Sequence, residues 1–415
     1  MQLTRYEEEM ASGKHGPGLE KAINILIKFG RSCSVEKFVP IASAHTMPKE
    51  PPELLMELTE GVEAVPVLTT LHPLMSAFNP DKWMAMGIRE DFALSELKDH
   101  EKRQAIYKKL GFIQTYSCLP MHVGNLPRIG DYISWIGSCA QIIANSIIGA
   151  RTNKDGTIVN LCSALTGRAL YYGLLKDENR RASVVVRVRM DAAEMTDDDF
   201  GALGYYVGEK VWNKNVVFEG ISREITFDQL KYLIAPAATS GSVHVCHVAG
   251  VTPEAPTTEA ALGGQKPEEV ITVDRIQIEK TKEKYRQASS DQVDLVVIGC
   301  PHVTIEEAAR VAGIIRGKKI SDNSRLWLAM SEPTYCLART MGFADEIEKA
   351  GGVFSNTCLA TIPDSPIPDS VRTVMTNSFK AAHYITALQK GKVKVVVGSL
   401  KQCLQSAVSG KLEVN

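Results

Sequence analysis

Apolar and polar positions follow two different periods along this chain, and the two periods alternate. The segment Leu19–Phe29 carries apolar residues at helical spacing, which predicts an amphipathic helix. The stretch FVPIASAH that follows predicts one strand ending at His45, and VPVLTTLHP predicts a second strand. Strands that are each followed by a helical segment indicate βα units, so we expect an α/β fold with mostly parallel sheets.

Three further runs rich in β-branched residues also predict strands: Ala182–Met190, VDLVVIGC and KVKVVVGSL. The stretch Pro253–Glu268 is rich in Pro, Gly, Thr and Ala, and a second break occurs near Asp177–Arg181. Both are typical of connections between domains. We therefore expect three α/β regions, covering residues 1–180, 181–258 and 259–415.

The composition excludes several classes of protein. The chain has 415 residues, a formal net charge of -1, 44% hydrophobic residues and 23% charged residues, as expected for a globular protein of two or three domains. With so little net charge, we expect no binding to nucleic acid or to an acidic membrane. No apolar run approaches the roughly 18 residues of a membrane span, and the polar N-terminus lacks the core of a signal peptide. We expect a cytoplasmic protein.

The nine cysteines are an odd number without a CxxC spacing, which indicates a reducing compartment. One of them, Cys300, lies between a predicted strand end and a helix start, because Thr304 and Glu307 form a capping box. Ligands bind at such strand ends in open α/β sheets, and the helix N-terminus favours the thiolate. The alternative, a turn cysteine without a function, stays open on these residues alone.

A second polar region begins at Cys118, where a loop rich in Pro, Gly and Asn precedes Ser138, Cys139 and Asn145. Small hydrogen-bonding residues amid apolar ones cost stability unless they have partners. A ligand-binding lining explains them better than a plain core does. Arg151, shortly afterwards, has the forked guanidinium that suits a carboxylate or a phosphate.

Other candidates have a structural reading beside the functional one. Cys358 lies in a polar loop after the short predicted strand Val353–Phe354. A loop is an unusual place for an inert thiol, because unreactive thiols prefer the core. His45, His72 and His247 stand at strand ends, where a lone histidine is more often structural than catalytic.

Seven motifs in sequence order resemble the aconitase X branch of the aconitase superfamily. They are SAH at 43–45, TTLHP at 69–73, TYSCLP at 115–120 with Gly124–Asn125, NSIIGARTN at 145–153, HVAGVTPEA at 247–255, GCPH at 299–302 and SNTC at 355–358. The match runs from about Leu3 to about Gly410, and seven motifs in order are specific where one alone would be weak. The resemblance implies an aconitase-like core of about three α/β domains and a large catalytic subunit that lacks the swivel domain.

The resemblance also implies a metal centre, an iron ion or an iron–sulfur cluster. Its ligands would be Cys118, Cys300 and Cys358. Three thiolates leave one coordination position open, where iron can act as a Lewis acid on a substrate hydroxyl. Cys139 is close enough in sequence to Cys118 to be a rival ligand that would close this position.

The remaining roles are assigned by the resemblance as well. His45 would protonate the leaving hydroxyl. The substrate-binding side chains would be those of Thr70, Asn125, Ser138, Asn145, Arg151, His247 and Ser331. The base, a serine, would come from a small swivel-domain subunit, so we expect a heteromer with an active site closed between the subunits.

The chain departs from the family pattern at three places. Gly137, Ser138 and Cys139 stand where Glu-Ser-Ser is usual, His72 replaces an asparagine, and SEPTY at 331–335 replaces a more usual Ser-Arg motif. A buried polar contact that is gained or lost can change substrate choice by orders of magnitude. These departures affect the substrate more than the type of reaction.

The resulting prediction is a hydro-lyase that dehydrates a small hydroxy acid. A substrate of the cis-3-hydroxy-L-proline type is preferred, and mevalonate 5-phosphate is the alternative. Two other readings stay open: an iron-binding sensor or scaffold that has lost the chemistry, and a zinc hydrolase that uses the same thiols.

Overall fold

The computed structural model describes residues 1–73, 82–191, 194–286, 291–358 and 367–413. The chain forms two compact units. Unit 1 contains Met1–Pro73 and Ser95–Arg181, and unit 2 contains Leu74–Leu94 and Ala182–Asn415. No helix in the described ranges is both long and apolar enough to span a membrane.

The secondary structure alternates between strands and helices. The strands are β1 Phe38–Pro40, β2 Ser43–Thr46, β3 Leu68–Leu71, β4 Ser134–Trp135, β5 Arg168–Leu170, β6 Val184–Val188, β7 Val216–Glu219, β8 Cys246–Val248, β9 Glu269–Val273, β10 Leu295–Ile298, β11 Arg325–Ala329, β12 Gly352–Ser355, β13 Thr373–Thr376 and β14 Lys394–Val397. The α-helices are α1 Arg5–Ala11, α2 Pro17–Ser32, α3 Pro52–Leu58, α4 Trp83–Met86, α5 Glu90–Lys109, α6 Ser138–Ile143, α7 Thr157–Thr166, α8 Asp197–Val211, α9 Phe227–Gly241, α10 Thr258–Ala261, α11 Arg275–Glu283, α12 Ile305–Ile315, α13 Glu332–Thr340, α14 Phe343–Lys349, α15 Phe379–Leu388 and α16 Leu400–Ser409. Short 3-10 helices span Pro120–Val123, Gly173–Leu175 and Asp177–Asn179, and a π-helical turn, Ala144–Ile148, continues α6.

These strands form four sheets. In unit 1, the N-terminal sheet has the order β3-β2-β4, and β1 pairs with β5 in a separate ribbon. In unit 2, the middle sheet has the order β8-β7-β6-β9 and the C-terminal sheet the order β12-β11-β10-β13-β14. Among the strands described, the β1–β5 pair alone is antiparallel; the others pair in parallel. This confirms the predicted α/β class with mostly parallel sheets.

One predicted strand is wrong. FVPIASAH forms two strands in two different sheets, β1 and β2, instead of one. Pro40, which ends β1, has no N–H to donate to a ladder. The next two amides then turn to other carbonyls, since Ile41 donates to Gly167 (3.2 Å) and Ala42 donates to Tyr132 (2.8 Å).

Other local predictions agree with the structure. The helix predicted at Leu19–Phe29 lies within α2, and the predicted capping box is present because the Thr304 side chain accepts from the Glu307 amide while the Glu307 side chain accepts from the Thr304 amide. The strand expected over Ala182–Met190 is shorter, Val184–Val188.

The segment between β8 and β9 contains α10 and connects two strands of one sheet, because β9 pairs with β6. The boundary expected between residues 258 and 259 therefore lies inside the connection that leads back to the middle sheet.

Candidate active site

The N-terminal sheet carries a cluster of polar side chains at the carboxyl ends of its strands. His45 on β2 lies directly opposite Thr70 on β3 in the parallel ladder. His45 Nδ1 and Thr70 Oγ1 are 2.8 Å apart. Asn125 Nδ2 donates to Thr70 Oγ1 at 2.9 Å and to the Ala44 carbonyl at 3.0 Å. The structure thus brings three of the predicted site residues, His45, Thr70 and Asn125, into one hydrogen-bonded group.

A second histidine completes this cluster. His45 Nε2 lies 3.0 Å from Nδ1 of His72, and the His45 side chain is fully buried. Burial lowers the pKa of His45 to about 3, although backbone hydrogen bonds with Thr70 and Ser117 favour the protonated ring. The imidazole is therefore neutral near pH 7, and both of its nitrogens are already engaged.

Cys118 lies on a loop held against the end of β3. The Ser117 amide donates to the Leu71 carbonyl at 3.2 Å, and Thr115 Oγ1 donates to the same carbonyl at 3.2 Å. The Cys118 side chain is buried. The loop thus places Cys118 at the same edge of the N-terminal sheet as the histidine pair.

Asn145 and Arg151, predicted to bind substrate, have partners within unit 1. Asn145 exchanges two hydrogen bonds of 3.0 Å with the backbone of Thr152. Arg151 forms an ion pair with Asp177 and donates to the Leu175 carbonyl at 3.2 Å. Their polar groups therefore stabilise the fold locally, and their contact with a substrate stays a prediction.

Arg180 is a residue that the sequence reasoning missed. It is buried, and its guanidinium donates to Asn145 Oδ1 (3.1 Å), to the Asn145 carbonyl (2.8 Å) and to the Leu174 carbonyl (3.1 Å). It holds the π-helical turn that carries Asn145. The sequence offers no signal for this role, because Arg180 stands among charged residues at an expected domain boundary.

Ser138 and His247 lie on different elements. Ser138 is the first residue of α6 in unit 1, and the neighbouring Cys139 is buried. His247 lies on β8 of the middle sheet in unit 2, opposite Val217 of β7, and is buried. The sequence correctly placed His247 on a strand, but its role in binding stays a prediction.

The C-terminal sheet of unit 2 carries two of the predicted metal ligands at one edge. Cys300 follows β10 and Cys358 follows β12, and the parallel strand β11 separates them. Carboxyl ends of parallel strands meet at the same edge of a sheet. The two loops are in contact, since His302 Nε2 lies 3.4 Å from the Thr357 carbonyl. Ser331 follows β11 at the same edge and caps α13.

A glycine allows β10 and β11 to end close together. A Cβ atom at Gly299 would lie 2.4 Å from the Ala329 carbonyl oxygen, and the φ angle of Gly299 is +105°. Both facts require glycine directly before Cys300. The backbone of Cys300 is further held by Ser378, whose hydroxyl donates to its carbonyl.

A buried ionic network holds the start of α12, whose N-cap residue Thr304 lies four residues after Cys300. Glu307 accepts hydrogen bonds from the Lys231 ammonium, from the Tyr232 hydroxyl and from the Thr304 amide. Burial acts to lower the pKa of Lys231, but the carboxylates of Glu307 and Asp228 raise it above its ordinary value. Lys231 therefore stays charged inside unit 2.

The chemistry of these donors fits an iron or iron–sulfur centre. Cys300 is buried and Cys358 is half-buried, and thiolates are the usual ligands of iron–sulfur clusters. Within the described ranges, no three side chains among His, Cys, Asp and Glu gather closely enough to hold a metal ion. Unit 2 thus places two sulfur donors, those of Cys300 and Cys358, at one edge of the C-terminal sheet.

Comparison with protein families gives a match along almost the whole chain. Residues 1–178 match the aconitase X first domain, residues 182–283 the second domain and residues 293–409 the third domain.

Two curated relatives are dehydratases with different names. The phosphomevalonate dehydratase large subunit of Methanocaldococcus jannaschii is 33% identical over 98% of this chain and 100% of its own length. The cis-3-hydroxy-L-proline dehydratase of Hypocrea jecorina is 31% identical over 99% of this chain and 69% of its own length. The crystal structure of Thermococcus kodakaraensis aconitase X in its holo-form matches with a TM-score of 0.84 and 31% identity, covering 98% of this chain and 100% of that one. The chain therefore belongs to the aconitase X family.

Proposed function

We propose that this chain is the large subunit of a hydro-lyase that dehydrates a small hydroxy acid. The relatives that match over the whole chain are named dehydratases. The observation that carries the proposal is the position of Cys300 and Cys358 at one edge of the C-terminal sheet, in loops that contact each other. We also place the protein in the cytoplasm, because nine cysteines without a CxxC spacing suit a reducing compartment.

Cys118, Cys300 and Cys358 are the residues that would hold the metal centre. When bound, an iron or iron–sulfur centre supplies a Lewis acid that makes a hydroxyl a better leaving group. His45 is the proposed proton donor to that hydroxyl, which requires its neutral ring to open one of its two hydrogen bonds, with Thr70 or with His72. Thr70 in turn is held by Asn125.

Substrate binding is assigned to the polar side chains that the family resemblance indicates. Thr70 and Ser331 lie at strand ends, where ligands of parallel sheets bind. Asn125 lies in a loop and reaches the same place through its hydrogen bond to Thr70. Ser138, Asn145, Arg151 and His247 complete the proposed set. Arg151 would have to exchange part of its pairing with Asp177 for a substrate carboxylate.

The base that removes the substrate proton is proposed to be a serine of a small swivel-domain subunit. Several relatives are named large subunits, and this chain covers 94 to 100% of the length of four of them. In contrast, it covers only 69% and 70% of the two cis-3-hydroxy-L-proline dehydratases. The match to the large subunits supports a partner supplied as a separate polypeptide.

Two substrates are proposed, and one assay separates them. The complex of large and small subunits, purified without oxygen, is given cis-3-hydroxy-L-proline and mevalonate 5-phosphate in turn. Turnover of one compound identifies the substrate. Turnover of neither by a complex that contains iron points to a different substrate or to the alternative function, an iron-binding sensor or scaffold, which the departure at Gly137, Ser138 and Cys139 motivates.

The metal ligands are tested by the iron content of purified variants. Cys300→Ser and Cys358→Ser should each lose most of the bound iron, because a hydroxyl is a poor replacement for a thiolate. Cys336→Ser is the matched control, because this cysteine is exposed on α13 of the same unit. Zinc in place of iron in the unmodified protein would contradict the proposed cofactor.

A further inference from the structure

The ring of His72 fills space that any other residue at position 137 would need. A Cβ atom at Gly137 would lie 2.2 Å from Cε1 and 2.7 Å from Nδ1 of His72. The imidazole therefore packs directly against the Gly137 backbone. Gly137 also has a φ angle of +90°, which residues with a side chain rarely adopt. Positions 72 and 137, where the chain departs from the family pattern, are thus in direct contact.

The His72 ring also contacts His45 at its Nε2 atom. Nδ1 of His72 lies 3.0 Å from His45 Nε2, and the two rings meet edge to face with centroids 5.2 Å apart. Thr70 occupies the other nitrogen of His45. With both nitrogens engaged, the position of the proton on His45 depends on which partner donates and which accepts.

We propose that His72 is a positioning residue for His45, and that Gly137 is glycine because the His72 ring occupies the place of its side chain. This inference rests on the proposed function, in which His45 donates a proton to the leaving hydroxyl. His72 holds the ring plane of His45 and sets its tautomer together with Thr70. Both effects need a polar atom at the δ position of residue 72.

Two substitutions of His72 separate this role from simple packing. His72→Asn keeps a polar atom at the δ position, whereas His72→Leu places an apolar atom there. In the complex with the small subunit, we expect the leucine variant to lose about tenfold or more in kcat with a KM within about twofold of the original. The His72→Asn variant should keep most of the original kcat. Equal kcat values for the two variants would overturn the positioning role.

A second readout does not need turnover. Nitrogen NMR of the complex labelled with 15N-histidine reports the tautomer of His45. We expect the His45 Nε2 signal to shift in His72→Leu and to stay close to the original in His72→Asn. An unshifted signal in the leucine variant would contradict the proposal even if neither candidate substrate is turned over, so the two failures are distinguishable.

The steric part is tested by a double-mutant cycle. Gly137→Ala should lower the thermal unfolding midpoint by about 5 °C or more, because it adds a clash to backbone strain. The same substitution in a His72→Ala background should cost clearly less. Gly130→Ala is the control for backbone strain alone, since Gly130 has a φ of +80° and nothing within 4 Å of a Cβ atom. An equal cost of Gly137→Ala in both backgrounds would show that the ring does not require the glycine.

Discussion

Glu50 is a buried carboxyl group in unit 1, four residues beyond the end of β2. The Tyr107 hydroxyl donates to its Oε2 atom at 3.3 Å, while its Oε1 atom has no hydrogen-bond partner among the described residues. Burial raises the pKa of Glu50 above its ordinary value, against the smaller effect of hydrogen bonds that include Tyr107 and Thr157. The folded protein therefore favours the uncharged acid at this position.

A Glu50→Gln substitution should make stability less dependent on pH. Because the pKa is higher in the folded than in the unfolded protein, the contribution of Glu50 is present at low pH and is lost as the pH rises through the folded-state value. The glutamine variant should gain stability relative to the original protein as the pH is raised from about 4 to about 8. Urea unfolding at several pH values measures this.

Glu53→Gln, at an exposed position on α3, should leave the pH dependence unchanged. Parallel stability curves for the original protein and the Glu50→Gln variant would contradict the expectation.

The sequence identified single residues where strand ends carry chemistry, but it did not identify their partners. His45, Thr70 and Asn125 were predicted as site residues, and the structure brings them together. The ion pair of Arg151 with Asp177 was not predicted. It depends on how the chain folds back between the π-helical turn before Arg151 and the 3-10 helix that begins at Asp177. His72 was noted as a strand-end histidine and as a departure from the family pattern, but its contact with Gly137 was not predicted, since it is visible only in three dimensions.

At the scale of elements, α9 and α12 are joined by the buried network around Glu307. Replacing Glu307 with glutamine would remove a carboxylate from the fully buried Lys231, leaving Asp228 at 3.2 Å as its remaining anionic partner. Breaking a buried ion pair from one side costs about 3–5 kcal/mol. We therefore expect Glu307→Gln to lower the free energy of unfolding by about 3 kcal/mol, measured by chemical denaturation.

Glu306→Gln is the matched control for this prediction, because Glu306 is the exposed neighbour on the same turn of α12. A similar small loss in both variants would mean that the network contributes little to stability.

Helices α8 and α9 pack closely because they meet through glycines. A Cβ atom at Gly204 would lie 1.8 Å from the Leu233 carbonyl oxygen. Gly204→Ala should force the helices apart and destabilise unit 2 by about 1–3 kcal/mol. Gly313→Ala, on α12 with open space at its Cβ position, should instead stabilise by about 0.5–1 kcal/mol. Thermal unfolding of the two variants tests this expectation. A loss of stability at both positions would contradict the packing argument.

Elements that depend on local sequence were predictable, and those that depend on distant partners were not. The capping box at Thr304 and Glu307 is local and is present as expected. The split of FVPIASAH into β1 and β2 depends on carbonyl groups of Gly167 and Tyr132, about a hundred residues away along the chain. The pairing of β9 with β6 in the middle sheet also depends on residues that are far apart in the sequence.

At the scale of the whole molecule, the proposed small subunit should stabilise this chain by mass action. A partner that binds only the folded protein contributes about 2.7 kcal/mol when its free concentration is a hundred times the Kd. We therefore expect the unfolding midpoint to rise with the concentration of the small subunit. An unrelated protein of similar size at the same concentrations is the control, and a midpoint that rises equally with both would argue against a specific complex.

Unit 1 is interrupted by Leu74–Leu94, which belongs to unit 2. In this segment Lys82 pairs with Glu348 at 3.0 Å, and Met86 and Ile88 are buried. The two paired residues are 266 positions apart, so a ribosome adding about 5–20 residues per second needs between ~10 s and ~1 min to produce the second after the first. During that interval the apolar side chain of Met86 on α4 lacks the later residues that bury it. Chaperones that recognise apolar segments would bind the nascent chain at α4. A gene fragment that ends after residue 181 would keep this segment permanently uncovered and should yield aggregating material.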